Sequence, residues 1–224
     1  MQVHVAFTPD EAAPAPLGIV VDVLRATSTI AQALASGYRN VLCCAEIEDA
    51  RRLRAETRDS LVGGERKAVR IEGFDVGASP REFLEPAAKT LILSTTNGTR
   101  AILEAARRCD EVILGSLLNL RAVADAARER DAVIVCAGFQ GAFALDDAYC
   151  AGRIVQLLRA ERTDAAIAAE LIAKAFPTAL GAMNARTYSP PGLEEDIAFC
   201  ARESVLDVVP RLVGNVGPAA EIAL

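Results

Sequence analysis

The chain has one histidine, no tryptophan, and aromatics at only 4% of its 224 residues. A single His rules out His-rich zinc hydrolase centres, which draw on two or three imidazoles. A Ser-His-Asp triad would have to use His4, in an N-terminal segment that reads as a strand. The six cysteines, at 43, 44, 109, 136, 150 and 200, show no C-x-x-C pair and no zinc-type spacing. None is followed six positions later by Arg, so a cysteine-based phosphatase loop is excluded as well. Neither G-x-G-x-x-G nor a Walker A loop occurs, which argues against dinucleotide or nucleoside triphosphate binding. Apolar runs stay well short of the ~20 residues of a membrane span. The N-terminus lacks the basic and apolar regions of a secretory signal. The expectation is a soluble cytoplasmic protein. Hydrolytic chemistry, if present, must rest on carboxylates, hydroxyls, arginines and a hard metal ion.

The 52% hydrophobic content comes mainly from Ala, Val, Leu and Ile. Such residues suit helices packed closely on a parallel sheet better than an aromatic-rich sandwich. Apolar runs at 3–7, 18–24, 40–45, 60–63, 90–94, 111–115 and 132–137 predict strands. Helical patterns at 28–36, 47–56, 98–108, 118–130 and 145–159 lie between and after them. This is the rhythm of βαβ crossovers. Residues 164–183 and 192–201 read as helical, with no strand expected in the C-terminal third. The expected fold is α/β: a three-layer α/β/α domain over residues 1–224, with a mostly parallel sheet and a helical C-terminal third. Residues 63–80 break the rhythm with four glycines, as a long functional loop would. That loop ends in Ser79-Pro80-Arg81-Glu82, a capping-box sequence with Pro at the first helical position.

In open parallel sheets, ligands bind at the carboxyl ends of the strands, so the strand ends carry the functional reading. The second ends in Asp22-Val23-Leu24-Arg25, followed by Ala26-Thr27-Ser28-Thr29. An acid and a guanidinium there are either a structural pair with a plain helix cap or parts of an ion site. The fourth ends in Gly63-Gly64-Glu65-Arg66, which reads as a polar turn or as a second acid-plus-guanidinium pair. The fifth ends in Thr95-Thr96-Asn97-Gly98-Thr99-Arg100 and runs into a helix. Free N–H groups, hydroxyls and Arg100 make it a candidate oxyanion receptor. The seventh leads through Gly138 to Asp146 and Asp147 in a first helical turn, where acids also serve the helix dipole alone.

Asp22, Glu65 and Asp146 or Asp147 would give Mg²⁺ a few carboxylates plus waters. Beside anion receptors, such an ion suits phosphate-ester hydrolysis. The haloacid dehalogenase-type mechanism does not apply, because its second Asp is replaced here by Leu24. The net charge of −6 argues against nucleic acid as partner, while local arginines can still form an anion pocket.

The ordered set of these motifs resembles the 2-phosphosulfolactate phosphatase family. It comprises the Asp22–Thr27, Gly63–Arg66, Gly73–Pro80, Thr95–Ala101, Cys136–Gly138 and Leu145–Asp147 segments, and Gly192-Leu193-Glu194-Glu195-Asp196. The match covers about residues 18 to 210. The resemblance implies a Mg²⁺-dependent phosphatase that hydrolyses 2-phospho-3-sulfolactate to 3-sulfolactate, a step of coenzyme M biosynthesis. Together with the motif spacing, this leads to the expectation that Asp22, Glu65 and Asp147 hold the ion directly or through water, and that Arg25 and Arg100 clamp the transferring oxygens. Arg66 takes the carboxylate or sulfonate, and Thr27, Ser28 and Thr95 to Thr99 contribute further anion contacts. Phe139, Ala142 and Phe143 depart from the family pattern. Another small phosphohydroxy acid such as 2-phospholactate is therefore an alternative substrate, and a non-catalytic anion-binding protein is the alternative class. The partner is a small anionic phosphorylated acid, with neither nucleic acid nor membrane. The Ala-rich C-terminal helices offer a face for a homo-oligomer.

Overall fold

Successive residues along each central strand are buried on opposite faces of one sheet. Residues 1–187 and 192–224 are described by the computed structural model. The chain opens with β1 (Gln2–Ala6) and, after a 3₁₀ turn, β2 (Ala15–Val21), α1 (Ala26–Ala35), β3 (Asn40–Cys44) and α2 (Ile47–Glu56). Next come β4 (Ser60–Arg66), the short β5 (Val69–Arg70), a 3₁₀ turn at Pro80–Phe83, β6 (Thr90–Ser94) and α3 (Gly98–Arg108). There follow β7 (Cys109–Gly115), α4 (Leu120–Ala126), β8 (Ala132–Cys136), α5 (Leu145–Leu157) and β9 (Glu161–Arg162). The chain closes with α6 (Asp164–Ala175), α7 (Ala179–Asn184), α8 (Glu194–Cys200), β10 (Arg211–Val216) and β11 (Ala219–Ala223).

The strands form one sheet in the order β5-β4-β6-β3-β11-β10-β7-β2-β8-β1-β9. The β1, β2, β3, β4, β6, β7 and β8 pairings with one another are parallel. Leu17, Ile19 and Val21 of β2 pack with α4, α5 and α6, whereas Val20 packs with α1 and α3 on the opposite face. Near β3 and β6, Leu42 and Ile92 face α2. Strands buried on both faces read as continuous apolar runs, which is why the sequence exposes them so plainly. The outer strands β5 and β9 span two residues each. Such short edges offer little template for pairing with another chain.

The C-terminal third departs from the helical expectation. Residues 211–223 fold as an antiparallel hairpin between β3 and β7, joining two parallel sets of strands. Gly217 makes the turn at φ +57°, a left-handed conformation that favours glycine. Within the expected helix 164–183, the chain leaves α6 before Pro177 and restarts as α7, capped by the Thr178 hydroxyl accepting from Gly181 N. The strand expected over 18–24 instead runs Ala15–Val21, so Asp22 stands just beyond its end.

The loop after β4 is ordered by main-chain bonds: Gly64 N donates to Gly77 O and Asp75 N to Val62 O, both at 3.0 Å. The capping box forms. Ser79 Oγ accepts from Arg81 N, and Glu82 Oε2 accepts from Ser79 N, at the head of a 3₁₀ turn. Among the described residues no helix is long and apolar enough to cross a membrane.

Candidate active site

The turn from β2 into α1 is closed by main-chain chemistry. The Thr27 hydroxyl donates to Asp22 O at 2.8 Å and accepts from Asp22 N at 3.0 Å. Ser28 Oγ donates to Val23 O at 2.8 Å. Both hydroxyls, expected as anion contacts, are fully buried and tie the turn together. The Asp22 carboxylate is thereby held at the strand end, its Oδ1 accepting from Ala26 N at 3.2 Å.

Gly98, the first residue of α3, brings the loop after β6 against this turn. A Cβ there would lie 2.3 Å from Ala26 Cβ and 2.7 Å from Asp22 Oδ2, so only glycine admits the approach. Glu65, near the end of β4, is fixed from two sides. Its Oε1 accepts from Thr96 N and Thr96 Oγ1 at 2.9 Å, and its Oε2 accepts from Ala68 N at 2.7 Å. From α5, Asp147 bridges two strand ends, accepting from Val23 N at 2.9 Å and Gly138 N at 3.0 Å.

These elements enclose a cavity of about 380 Å³. Asp22, Glu65, Asp146 and Asp147 line it together with Arg25, Thr95, Thr96 and Asn97. Two cations that sequence reasoning did not single out, Lys67 and Arg186, border it too, as do Phe139 and Phe143. Arg186 follows α7 and carries no local motif; its place depends on chain 40 residues from Asp146. Asp196 was visible within a family motif, but its role emerges only in three dimensions: it pairs with Arg25 at 2.7 Å.

The other residues expected at the site lie around the cavity rather than on its lining. Arg66 donates to Glu65 O, Ala45 O and Ser94 Oγ. Thr99 N donates to Thr95 Oγ1 at 3.4 Å inside the turn. Arg100 pairs with Asp10 at 2.9 Å at the surface, beside a smaller recess of about 190 Å³ that shares Thr96, Asn97 and Gln140 with the main cavity.

Burial dominates the electrostatics. It pushes the Asp22 carboxyl up to about 7, with Asp146 and Glu65 adding to the rise while Ala26 N–H and Arg25 oppose it. Burial, then Asp146 and Asp22, raise Asp147 well above the carboxylate range against the two N–H bonds it accepts. Asp146 is raised by burial and held back by Arg186. Three buried acids thus repel one another, a surplus of negative charge that a cation would relieve. Their oxygen donors suit a hard ion. Among the described residues no group of three or more His, Cys, Asp or Glu is arranged as a ready-made metal site. An ion fitting here is one that keeps several waters, as Mg²⁺ does beside one or two carboxylates.

The 2-phosphosulpholactate phosphatase family model matches residues 4–215. A protein of Caldanaerobacter subterraneus subsp. tengcongensis is 39% identical over 88% of this chain and 88% of its own length. One from Pseudothermotoga lettingae is 38% identical over 94% of this chain and 96% of its own. A third, from Clostridium acetobutylicum, is 36% identical over 86% and 88%. All three carry the name probable 2-phosphosulfolactate phosphatase. With a match across nearly its whole length and a cavity where the family's motifs converge, the chain belongs to the 2-phosphosulfolactate phosphatase family.

Proposed function

We propose that this protein hydrolyses 2-phospho-3-sulfolactate to 3-sulfolactate and phosphate, the coenzyme M-type reaction, with Mg²⁺ as its ion. The observation that carries the reading is one cavity lined by Asp22, Glu65, Asp146 and Asp147 beside the cations Arg25, Lys67 and Arg186. A substrate bearing phosphate, carboxylate and sulfonate on three carbons needs several cationic receptors. The ion needs the acids. Asp22, Glu65 and Asp147 would hold Mg²⁺ directly or through water, with Asp146 adjoining; bound there, it would neutralise phosphoryl charge and lower the pKa of water.

The chain's own residues do the positioning. Arg25, anchored by Asp196 and by Ala68 O, presents the rest of its guanidinium to the phosphoryl oxygens. The N–H groups at the head of α3 add dipolar stabilisation. Phe139, Phe143, Leu145 and Leu193 supply an apolar wall that limits water and strengthens every charge contact inside. The clusters on opposite sheet faces support the three-layer α/β/α reading. The six free cysteines support a cytoplasmic location.

Phosphate release from 2-phospho-3-sulfolactate and 2-phospholactate, with Mg²⁺ or with EDTA, tests the proposal. Mg²⁺-dependent release that favours the sulfonated ester is expected. Absence of metal-dependent release from either ester sinks it.

A further inference from the structure

We infer that Arg186 receives an oxyanion of the substrate that is not transferred, the sulfonate or the carboxylate, and so sets specificity. The inference rests on the phosphatase reading above and adds a residue to it. Among the described residues, two buried side-chain nitrogens lack any hydrogen-bond partner, Arg153 Nε and Arg186 Nη2. Of these two residues, Arg186 is the one that borders the cavity.

The rest of the Arg186 side chain is tethered at one end and only loosely paired at the other. Its Nε donates to Met183 O at 2.8 Å, and its Nη1 reaches Asp146 Oδ2 at 3.4 Å. The side chain is 11% exposed. A buried N–H left without an acceptor costs about 1–3 kcal/mol, more on a charged group, so such groups mark a missing partner. Nη2 is covered in the free protein, so a ligand oxygen in the cavity becomes its partner through a small turn of the guanidinium about the long Asp146 contact.

Arg25 and Arg186 are anchored on different parts of the fold. Arg25 is tied to α8 through Asp196, whereas Arg186 is tied to the end of α7 and to Asp146 on α5. Two guanidiniums fixed independently can hold two anions at a set separation, which is what distinguishes a sulfonated phosphoester from a simple one.

The test is kcat/KM for the wild type and Arg186→Met on three esters with Mg²⁺. They are 2-phospho-3-sulfolactate, 2-phospholactate (no sulfonate) and the phosphate ester of 2-hydroxyethanesulfonate (no carboxylate). Loss of a charge-assisted bond predicts about a 10- to 100-fold fall on the full substrate, mostly in KM. The fall is shared by the ester that retains the bound group and absent from the ester that lacks it. Which ester is spared names the group. Arg186→Lys, which keeps a charge beside Asp146, is expected to show the same selectivity with a smaller loss, and serves if the Met variant does not fold. An equal fall on all three esters, or no fall, overturns the assignment. A wild type inactive on 2-phospho-3-sulfolactate overturns the phosphatase reading instead.

Discussion

Arg25 Nη1 donates to Asp196 Oδ2 at 2.7 Å, with the two side chains 10% and 4% exposed. The second Asp196 oxygen accepts from Ser79 Oγ at 2.5 Å, so one carboxylate ties the strand-end arginine to the loop after β4. Removing one member of a buried pair strands the other, at about 3–5 kcal/mol. Asp196→Asn is expected to lower kcat/KM at least tenfold and the melting temperature by several degrees. Ser79→Ala, which leaves the ion pair in place, should cost less in both. Equal activity losses would mean that the pair does not position Arg25.

Gly98→Ala is expected to damage both stability and activity, because its Cβ would clash with Ala26 and Asp22. Overpacking of this kind costs about 1–3 kcal/mol. Gly214→Ala, where a Cβ meets nothing within 4 Å, is the control and should unfold close to the wild type. Thermal unfolding together with Mg²⁺-dependent turnover reads both effects.

Arg100 separates cleanly from Arg25. Arg100 pairs with Asp10 where the side chains are 62% and 71% exposed. Such pairs contribute about 0–1 kcal/mol. Arg100→Ala is therefore expected to leave stability nearly unchanged and to reduce kcat/KM less than tenfold, against 100-fold or more for Arg25→Ala. A loss from Arg100→Ala as large as that from Arg25→Ala would place the reacting phosphate nearer the small recess.

Stability of the EDTA-treated protein should fall as pH rises. Folded Asp22 keeps its proton up to about 7, while the unfolded chain releases it near 3.8, so the folded state binds more protons between those values. Stability is then highest below the unfolded pKa and is lost as pH climbs through 7, with Asp147 pulling in the same direction. Asp22→Asn should flatten the slope of chemical-denaturation stability between pH 5 and 8, by an amount on the order of a few kcal/mol. Mg²⁺ should flatten it in the wild type. An unchanged slope in the variant would show that Asp22 is not the titrating group.

Much of the site was legible because a parallel sheet announces its strand ends. Continuous apolar runs stop where the backbone meets solvent or ligand, so Asp22, Glu65 and Thr95 stood out as polar residues at those breaks, and Asp147 as an acid in a first helical turn. The structure brings all four to one cavity. Side-chain direction was not legible. Arg66 and Arg100 occupy equivalent-looking positions after strands, yet one turns back onto main-chain carbonyls and the other turns out to Asp10.

The sequence by itself determined the α/β class, most of the strands and helices, and the order of the motifs, since these follow from local periodicity and capping. Tertiary structure alone decided three things. It placed the 211–223 hairpin in the middle of the sheet, because strand pairing depends on partners far away in the chain, Arg211 on Ile113 and Ile222 on Val41. It paired Arg25 with Asp196 across 171 positions. It set Arg186 at the cavity wall with a donor unmet. Each is a long-range contact whose energy arises only when distant segments share one desolvated space, and local sequence carries no trace of that.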